Sequence, residues 1–275
     1  MGSVILWIPF IITSGIENCC SRQPPWFNGL ELLEDAKQNK HVLPSGCEGI
    51  DILLEGGFRI GQLTEIVGPS SSGKTQMCLR SALGVADMNL GSVFFLDTCN
   101  SFSSNRIASM INQHTATSVE EDGETRVKRI MSRILCQSVY DIFELLDILR
   151  QLENRLSYQE KSNGNSIRLL IIDSIATLVA PILGSKNSQG RMLTISTGIL
   201  LKRIANDYNL SVLVTNQMVG GQRGHLKPAL GESWKSIPHV QLLLSRDKGS
   251  TICGISILKH TTIGSGRTGK FVIHN

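Results

Sequence analysis

Eight residues constrain this chain more than anything else in it. Gly68-Pro69-Ser70-Ser71-Ser72-Gly73-Lys74-Thr75 is a complete GxxxxGK[ST] motif, whose nearly fixed positions coincide by accident at on the order of 10⁻⁵ per starting point. Such a loop works only between a strand and a helix. Its glycines let the backbone wrap an anion with successive N–H groups pointing inward, and the following helix turns its positive N-terminal end to the same anion. Lys74 is then placed to reach the β- and γ-phosphates of a nucleotide, and the Thr75 hydroxyl to ligate Mg²⁺. Gly68, Pro69, Ser70, Ser71, Ser72, Gly73, Lys74 and Thr75 are the expected nucleotide-binding residues.

The flanking pattern supplies that setting. Gln62–Val67 reads as a short strand and Lys74–Met88 as a helix. Ser92–Leu96 is wholly apolar after its first residue, as a strand covered on both faces should be. Arg133–Gln137, Leu169–Ile172 and Ser211–Thr215 read as further strands. Ile142, Leu145, Leu146, Leu149, Leu152 and Leu156 fall at helical spacing, and Gln189–Tyr208 reads as a long helix. Strand–helix alternation predicts an α/β fold with a mainly parallel central sheet flanked by helices, joined by right-handed crossovers. The last third changes rhythm: Val240–Leu244, Ile252–Lys259 and Lys270–Ile273 read as additional C-terminal strands forming an antiparallel or mixed edge.

Composition narrows the class. At 275 residues and 41% hydrophobic, the chain can bury a full core without staples, and low-complexity or fibrous classes are excluded. A net charge of +4 permits a nucleic-acid partner without requiring one. The seven cysteines are odd in number and show no CxxC or Cys/His zinc spacing, so they read as reduced thiols. Cys78, Cys136 and Cys253 sit among Leu and Ile and read as small core hydrophobes. Val4–Ile16 is apolar but shorter than the ~20 residues a bilayer span needs, and no Lys or Arg precedes Arg22 to make a secretory signal. Residues 1–27 therefore read as an apolar arm, unpacked or docked on a partner, and no membrane association is expected.

Leu169-Leu-Ile-Ile-Asp173 is an apolar strand ending in a carboxylate. An Asp in that position commonly caps a turn. With a phosphate loop upstream, Asp173 is instead expected beside that loop, holding Mg²⁺ through water.

Leu43–Gly57 (LPSGCEGIDILLEGG), Gly61–Gly68 (GQLTEIVG) and the SGKTQ run ending at Gln76 resemble the approach to a RecA-type recombinase core. Asp141–Leu149, Val179–Gly184 and above all Leu226–Trp234 (LKPALGESW) are similar to the D-type paralogues of the eukaryotic strand-exchange recombinase. The resemblance runs from about Asn28 to the C-terminus. It implies a RecA-like P-loop ATPase core over 61–275, with 28–60 as the linker leading into it. It also implies ATP and Mg²⁺ as cofactors, other recombinase paralogues and single-stranded DNA as partners, and nuclear work in homologous recombination and double-strand-break repair. Members of this type carry a small N-terminal helical domain that makes one partner contact. Residues 1–27 do not resemble it, so a truncated or alternatively spliced form is expected, with that contact in question. The chain also stops soon after a strand, which puts an edge element in question.

In hydrolytically active members the second strand ends in an acidic-Thr-Glu run whose Glu polarises the attacking water. The matching stretch here, Asp97-Thr98-Cys99-Asn100, has Cys99 in place of that Glu. A thiol has a reference pKa of ~8.5, and an apolar neighbourhood would raise it; loss of a positioned base costs ~10²–10⁴-fold. The expectation is tight nucleotide binding with weak hydrolysis, ATP acting as a conformational ligand, with Asp97 the alternative base. Gln217, which follows Ser211–Thr215 and Asn216, matches the position that senses the γ-phosphate, so the resemblance makes it the catalytic-site relay. Val219–Lys227 (VGGQRGHLK) combines three glycines with Arg223, His225 and Lys227. It reads either as a loop that tracks the phosphates of single-stranded DNA, with Arg223 and Lys227 as the contacts, or as a solvated mobile loop. Without an aromatic residue, any such binding is sequence-tolerant and salt-sensitive. Gly184–Arg191 is a weaker segment of the same kind. Trp234 is assigned to packing or a subunit contact, and His114, His239 and His274 to surface or core roles. The acidic turn Glu120–Asp122 with Glu124, beside Arg126, Lys128, Arg129 and Arg133, reads as part of an exposed helix. Two other functional readings stay open: a strand-exchange motor, which Cys99 disfavours, and a protein scaffold with a structural ATP site and no DNA contact.

Overall fold

The computed structural model describes residues 28–38, 41–113, 122–159, 166–183, 188–220 and 226–273. The N-terminal arm, His114, residues 184–187, Arg223, His225 and His274 lie outside the described residues. Met1–His41 and Val42–Asn275 are separate units.

In the first unit the described element is helix α1 (Gly29–Gln38). Asn28 starts it: its Oδ1 accepts from Leu30 N and Glu31 N at 3.0 Å, while Glu31 Oε2 accepts from Asn28 N at 2.8 Å. This reciprocal cap satisfies amides that the first helical turn leaves open.

The second unit begins with strands β1 (Val42–Leu43) and β2 (Phe58–Arg59), paired antiparallel around helix α2 (Glu48–Leu53). The main sequence follows as β3 (Leu63–Gly68), α3 (Lys74–Asp87), β4 (Ser92–Asp97), α4 (Ser104–Gln113), α5 (Gly123–Met131), β5 (Ile134–Ser138), α6 (Ile142–Gln159) and β6 (Ile167–Asp173). It continues as α7 (Ile175–Leu183), α8 (Ser188–Asp207), β7 (Ser211–Gly220), β8 (Leu226–Pro228), α9 (Glu232–Lys235), β9 (Val240–Arg246), β10 (Ile252–Lys259) and β11 (Thr268–Val272). The sheet order is β11-β10-β9-β3-β7-β6-β4-β5, with β8 hydrogen-bonded to β7. From β9 to β5 every pairing is parallel; β10, β11 and β8 pair antiparallel. The mainly parallel sheet with an added C-terminal edge is the architecture the alternation predicts.

The central strands are apolar throughout because both faces are covered. Along them, successive side chains enter two different cores. Ile66, Leu169, Ile171 and Leu213 pack with Met77, Cys78 and Ala82 of α3. Leu63, Leu170, Ile172, Val212 and Val214 pack with Leu145 and Leu149 of α6 and Leu201 of α8. Each such aliphatic side chain gains about 1.5–3 kcal/mol from leaving water, which pins the register and so the height at which each strand ends.

Several local expectations change. Cys78 and Cys253 are buried, and burial raises both thiols, but Cys136 is exposed. The cause is position: β5 is the sheet's outer strand, and only its Ile134 is buried. The five cysteines among the described residues are free thiols. The basic helix α5 is not wholly solvated. Arg126, with its side chain 11% exposed, and Arg129 both clamp Asp87 (2.6 and 3.1 Å), and Arg126 foremost holds that carboxyl below its ordinary range despite partial burial. Strand β7 runs to Gly220 rather than stopping at Thr215, so Gln217 lies within a strand. Trp234 is 1% exposed and belongs to the α6–α8 core. Among the described residues no helix is long and apolar enough to cross a membrane.

His239 is satisfied by the fold. Leu63 N donates to its Nδ1 at 2.9 Å, and its own N–H donates to Leu63 O at 2.9 Å. Burial, then Lys202 and Lys259, lower its pKa from 6.5 to about 4. The unfolded chain therefore binds a proton near pH 6.5 that the folded chain refuses until about 4, so stability is lost as pH falls through that window. A His239→Asn chain, which keeps an acceptor for Leu63, is expected to lose on the order of 1–2 kcal/mol less than the parent between pH 7 and pH 4.5, after screening. Urea unfolding at the two pH values measures the difference.

Candidate nucleotide site at the carboxyl ends of the parallel strands

Strand β3 delivers Gly68 to the top of the sheet, and the loop returns at once into α3. The turn needs glycine at both ends. A Cβ on Gly68 would lie 2.5 Å from Ser72 Oγ and 2.8 Å from Leu244 O; one on Gly73, at φ 101°, would lie 2.5 Å from Ile273 Cδ1. Lys74 Nζ donates to the carbonyls of Gly68 (2.9 Å) and Pro69 (2.7 Å). Its burial lowers its pKa, opposed mainly by Asp173. Ser72 Oγ is buried without a hydrogen-bond partner. A half-buried cation turned onto its own loop's carbonyls, beside an unpaired hydroxyl and a helix N-terminus, fits a polyphosphate anion.

The metal-side residues converge from helix α3, strands β6 and β7, and the turn after β4. Asp173, at the end of β6, is 3% exposed. Its Oδ2 accepts from Thr75 Oγ1 at 2.6 Å, its Oδ1 from Thr215 Oγ1 at 2.5 Å, and Ser101 Oγ lies 3.4 Å from Oδ2. Thr75 and Asp173 are thus adjacent, as the spacing predicts. These are hard oxygen donors, and a carboxylate with a hydroxyl beside a phosphate loop is the donor set Mg²⁺ takes when phosphates and waters complete its shell. Thr215 and Ser101 were not legible as partners, since a lone hydroxyl in a strand or turn carries no sequence signal.

Asp97 is in register with Asp173 on the neighbouring strand, but its carboxylate holds the turn that follows β4. It accepts from Cys99 N (3.1 Å), Ser101 N (3.1 Å), Ser101 Oγ (3.2 Å) and Phe102 N (2.8 Å). A carboxylate so engaged is poorly suited to replace the base. Cys99 is exposed rather than set in an apolar neighbourhood: Thr177 Oγ1 lies 3.4 Å and Thr98 Oγ1 3.5 Å from its sulfur.

Gln217 pairs in register with Gly68, the first residue of the loop, and its side chain is exposed. Its carbonyl accepts from Ala229 N at 2.9 Å. Beyond it β7 and β8 form an antiparallel stem in which Val219 faces Lys227. Lys227 is exposed on that stem; Arg191 is exposed in the first turns of α8. Sequence reasoning passed over Glu65, a fully buried carboxylate inside β3. The available signal was an acid in the middle of an otherwise apolar strand.

A mainly parallel sheet, a glycine-bounded loop entering a helix, and a strand-end carboxylate against the loop's Thr define the class of P-loop α/β proteins. The Rad51 family model matches residues 37–254, and the chain belongs to that family. It is 36% identical over 229 residues to a Bos taurus protein named "DNA repair protein RAD51 homolog 4", covering 83% of this chain and 68% of the relative. The Mus musculus protein of the same name is 33% identical over 230 residues, with coverage of 83% and 68%. A Dictyostelium discoideum "Probable DNA repair protein RAD51 homolog 4" is 30% identical over 249 residues, covering 79% and 70%.

Proposed function

We propose that this chain is an ATP-binding subunit of a hetero-oligomeric complex of recombinase paralogues. It acts in the nucleus in homologous recombination and DNA double-strand-break repair, binds single-stranded DNA, and uses ATP as a conformational switch with weak hydrolysis. The observation that carries this reading is the register of Gly68 with Gln217: the residue that begins the phosphate loop is the sheet neighbour of the residue that leads into the Lys227 stem. Lys74 and the loop amides bind phosphate, and Thr75 and Asp173 hold Mg²⁺, which when bound offsets the phosphate charge. Gln217 reports the γ-phosphate to the stem, and Lys227 with Arg223 binds the DNA backbone. The name of the 36% identical Bos taurus relative, a DNA repair protein, supports the repair assignment.

A chain carrying Arg223→Ala and Lys227→Ala is expected to bind fluorescent single-stranded DNA about tenfold more weakly. The slope of log affinity against log salt should become shallower by ~1.4, for two lost phosphate contacts. An unchanged affinity and slope favours the scaffold reading, in which the ATP site is structural.

A further inference from the structure

Strand β3 lies between β7 and β9, and Glu65, three residues before the phosphate loop, joins three of the segments around it. Its Oε1 accepts from Asn216 Nδ2 at 2.7 Å and from Trp234 Nε1 at 2.9 Å; its Oε2 accepts from Gln241 Nε2 at 2.6 Å. Asn216 precedes Gln217 on β7, Trp234 sits on the short helix that follows β8, and Gln241 pairs beside Glu65 on β9. The base of the phosphate loop, the strand bearing Gln217 and the return of the Lys227 stem thus meet at one carboxylate.

A fully buried acid is a costly way to hold three segments together if packing were all that was required. Burial raises the Glu65 pKa; the three neutral donors, and Lys259 more weakly, oppose that rise. Hydrogen bonds differ from apolar packing in fixing direction: they hold Asn216 and the Trp234 indole at set angles to β3, and a rotation of either is felt at the other through one shared oxygen. Asn216 also has an unused acceptor, since its Oδ1 is buried without a partner, so this member of the network has capacity to pair differently.

We infer that Glu65 is a positioning residue that transmits the nucleotide state of the Gly68–Thr75 loop to the Lys227 stem through Asn216 and Trp234. The inference rests on the switch reading above and goes beyond it by naming the junction.

The molecule carries its own reporter. Trp234 is one of three tryptophans, so Trp7→Phe with Trp26→Phe leaves it the sole emitter, with its N–H on Glu65. ATP binding is measured by titration calorimetry with MgATP, and Trp234 emission is recorded on the same samples. The expected result is that MgATP shifts Trp234 emission in this parent. Glu65→Gln, whose Oε1 still accepts from Asn216 and Trp234 and whose amide can be met by a turned Gln241 amide, should keep ATP affinity within about threefold and keep the shift. Asn216→Leu, which cuts the link to β7 and leaves the Trp234 and Gln241 bonds, should lose it. If folded Asn216→Leu keeps the full shift, Glu65 only packs and the inference fails; it fails equally if Glu65→Gln binds ATP and loses the shift, since the bonds at Oε1 would then not carry it. If the parent binds ATP while Trp234 emission stays unchanged, the inference fails and the nucleotide site stands. If the parent binds no ATP, the reading of the site fails and the inference falls with it.

Discussion

A Lys74→Ala chain is expected to bind MgATP about 10²–10³-fold more weakly than the parent while keeping its fold. Lys74 stands over the loop with its ammonium on the Gly68 and Pro69 carbonyls, and a polyphosphate offers it charge-assisted bonds in place of neutral ones. Hydrogen bonds to charged groups contribute about 1.5–3 kcal/mol each, so losing two amounts to roughly 3–4 kcal/mol after partial compensation by water, and each 1.4 kcal/mol is tenfold in affinity. The fold should tolerate the change, because burial already disfavours the charged lysine and its present partners are two loop carbonyls. Titration calorimetry gives the affinity and thermal unfolding checks the fold. An affinity within threefold of the parent would contradict the assigned role.

Cys99→Glu is expected to raise ATP turnover by about 10²-fold, the lower end of what a positioned base supplies. Cys99 is exposed beside the Thr98 and Thr177 hydroxyls, and the turn that carries it is held by the Asp97 carboxylate through the Cys99 backbone N–H rather than its side chain. The side chain can therefore change without undoing the turn. Asp97 stays committed to that turn and gains no new role. Cys99→Gln, similar in size to Glu without its basicity, should remain as slow as the parent; steady-state phosphate release compares the three. Equal rates for the Glu and Gln chains would mean that the missing base is not what limits turnover.

The sheet was legible because its strands sit under two faces of cover. Leu169–Ile172 and Val93–Leu96 are continuous apolar runs that no surface element would carry, and α6 shows its inward stripe in the spacing of Ile142, Leu145 and Leu149. The phosphate loop and Asp173 were legible because their chemistry dictates residue order. What was not legible depends on tertiary position. Cys136 has the same neighbours in sequence as a core cysteine, and only the strand order makes β5 an outer strand. Arg126 looks like a solvated helix charge until α5 is laid against Asp87. Helix α1 went unread although Asn28 and Glu31 stand at the spacing of a reciprocal cap, a signal passed over. Glu65 was quoted as part of a motif without a role, since its three donors come from residues about 150 or more positions away in the chain.

The most direct test takes the unaltered chain and measures MgATP binding and ATP turnover together, with and without single-stranded DNA. The expected result is saturable, Mg²⁺-dependent binding with turnover barely above background that DNA does not raise. Rapid, DNA-stimulated turnover would contradict a nucleotide switch lacking its base at Cys99, and absence of binding would contradict the site itself.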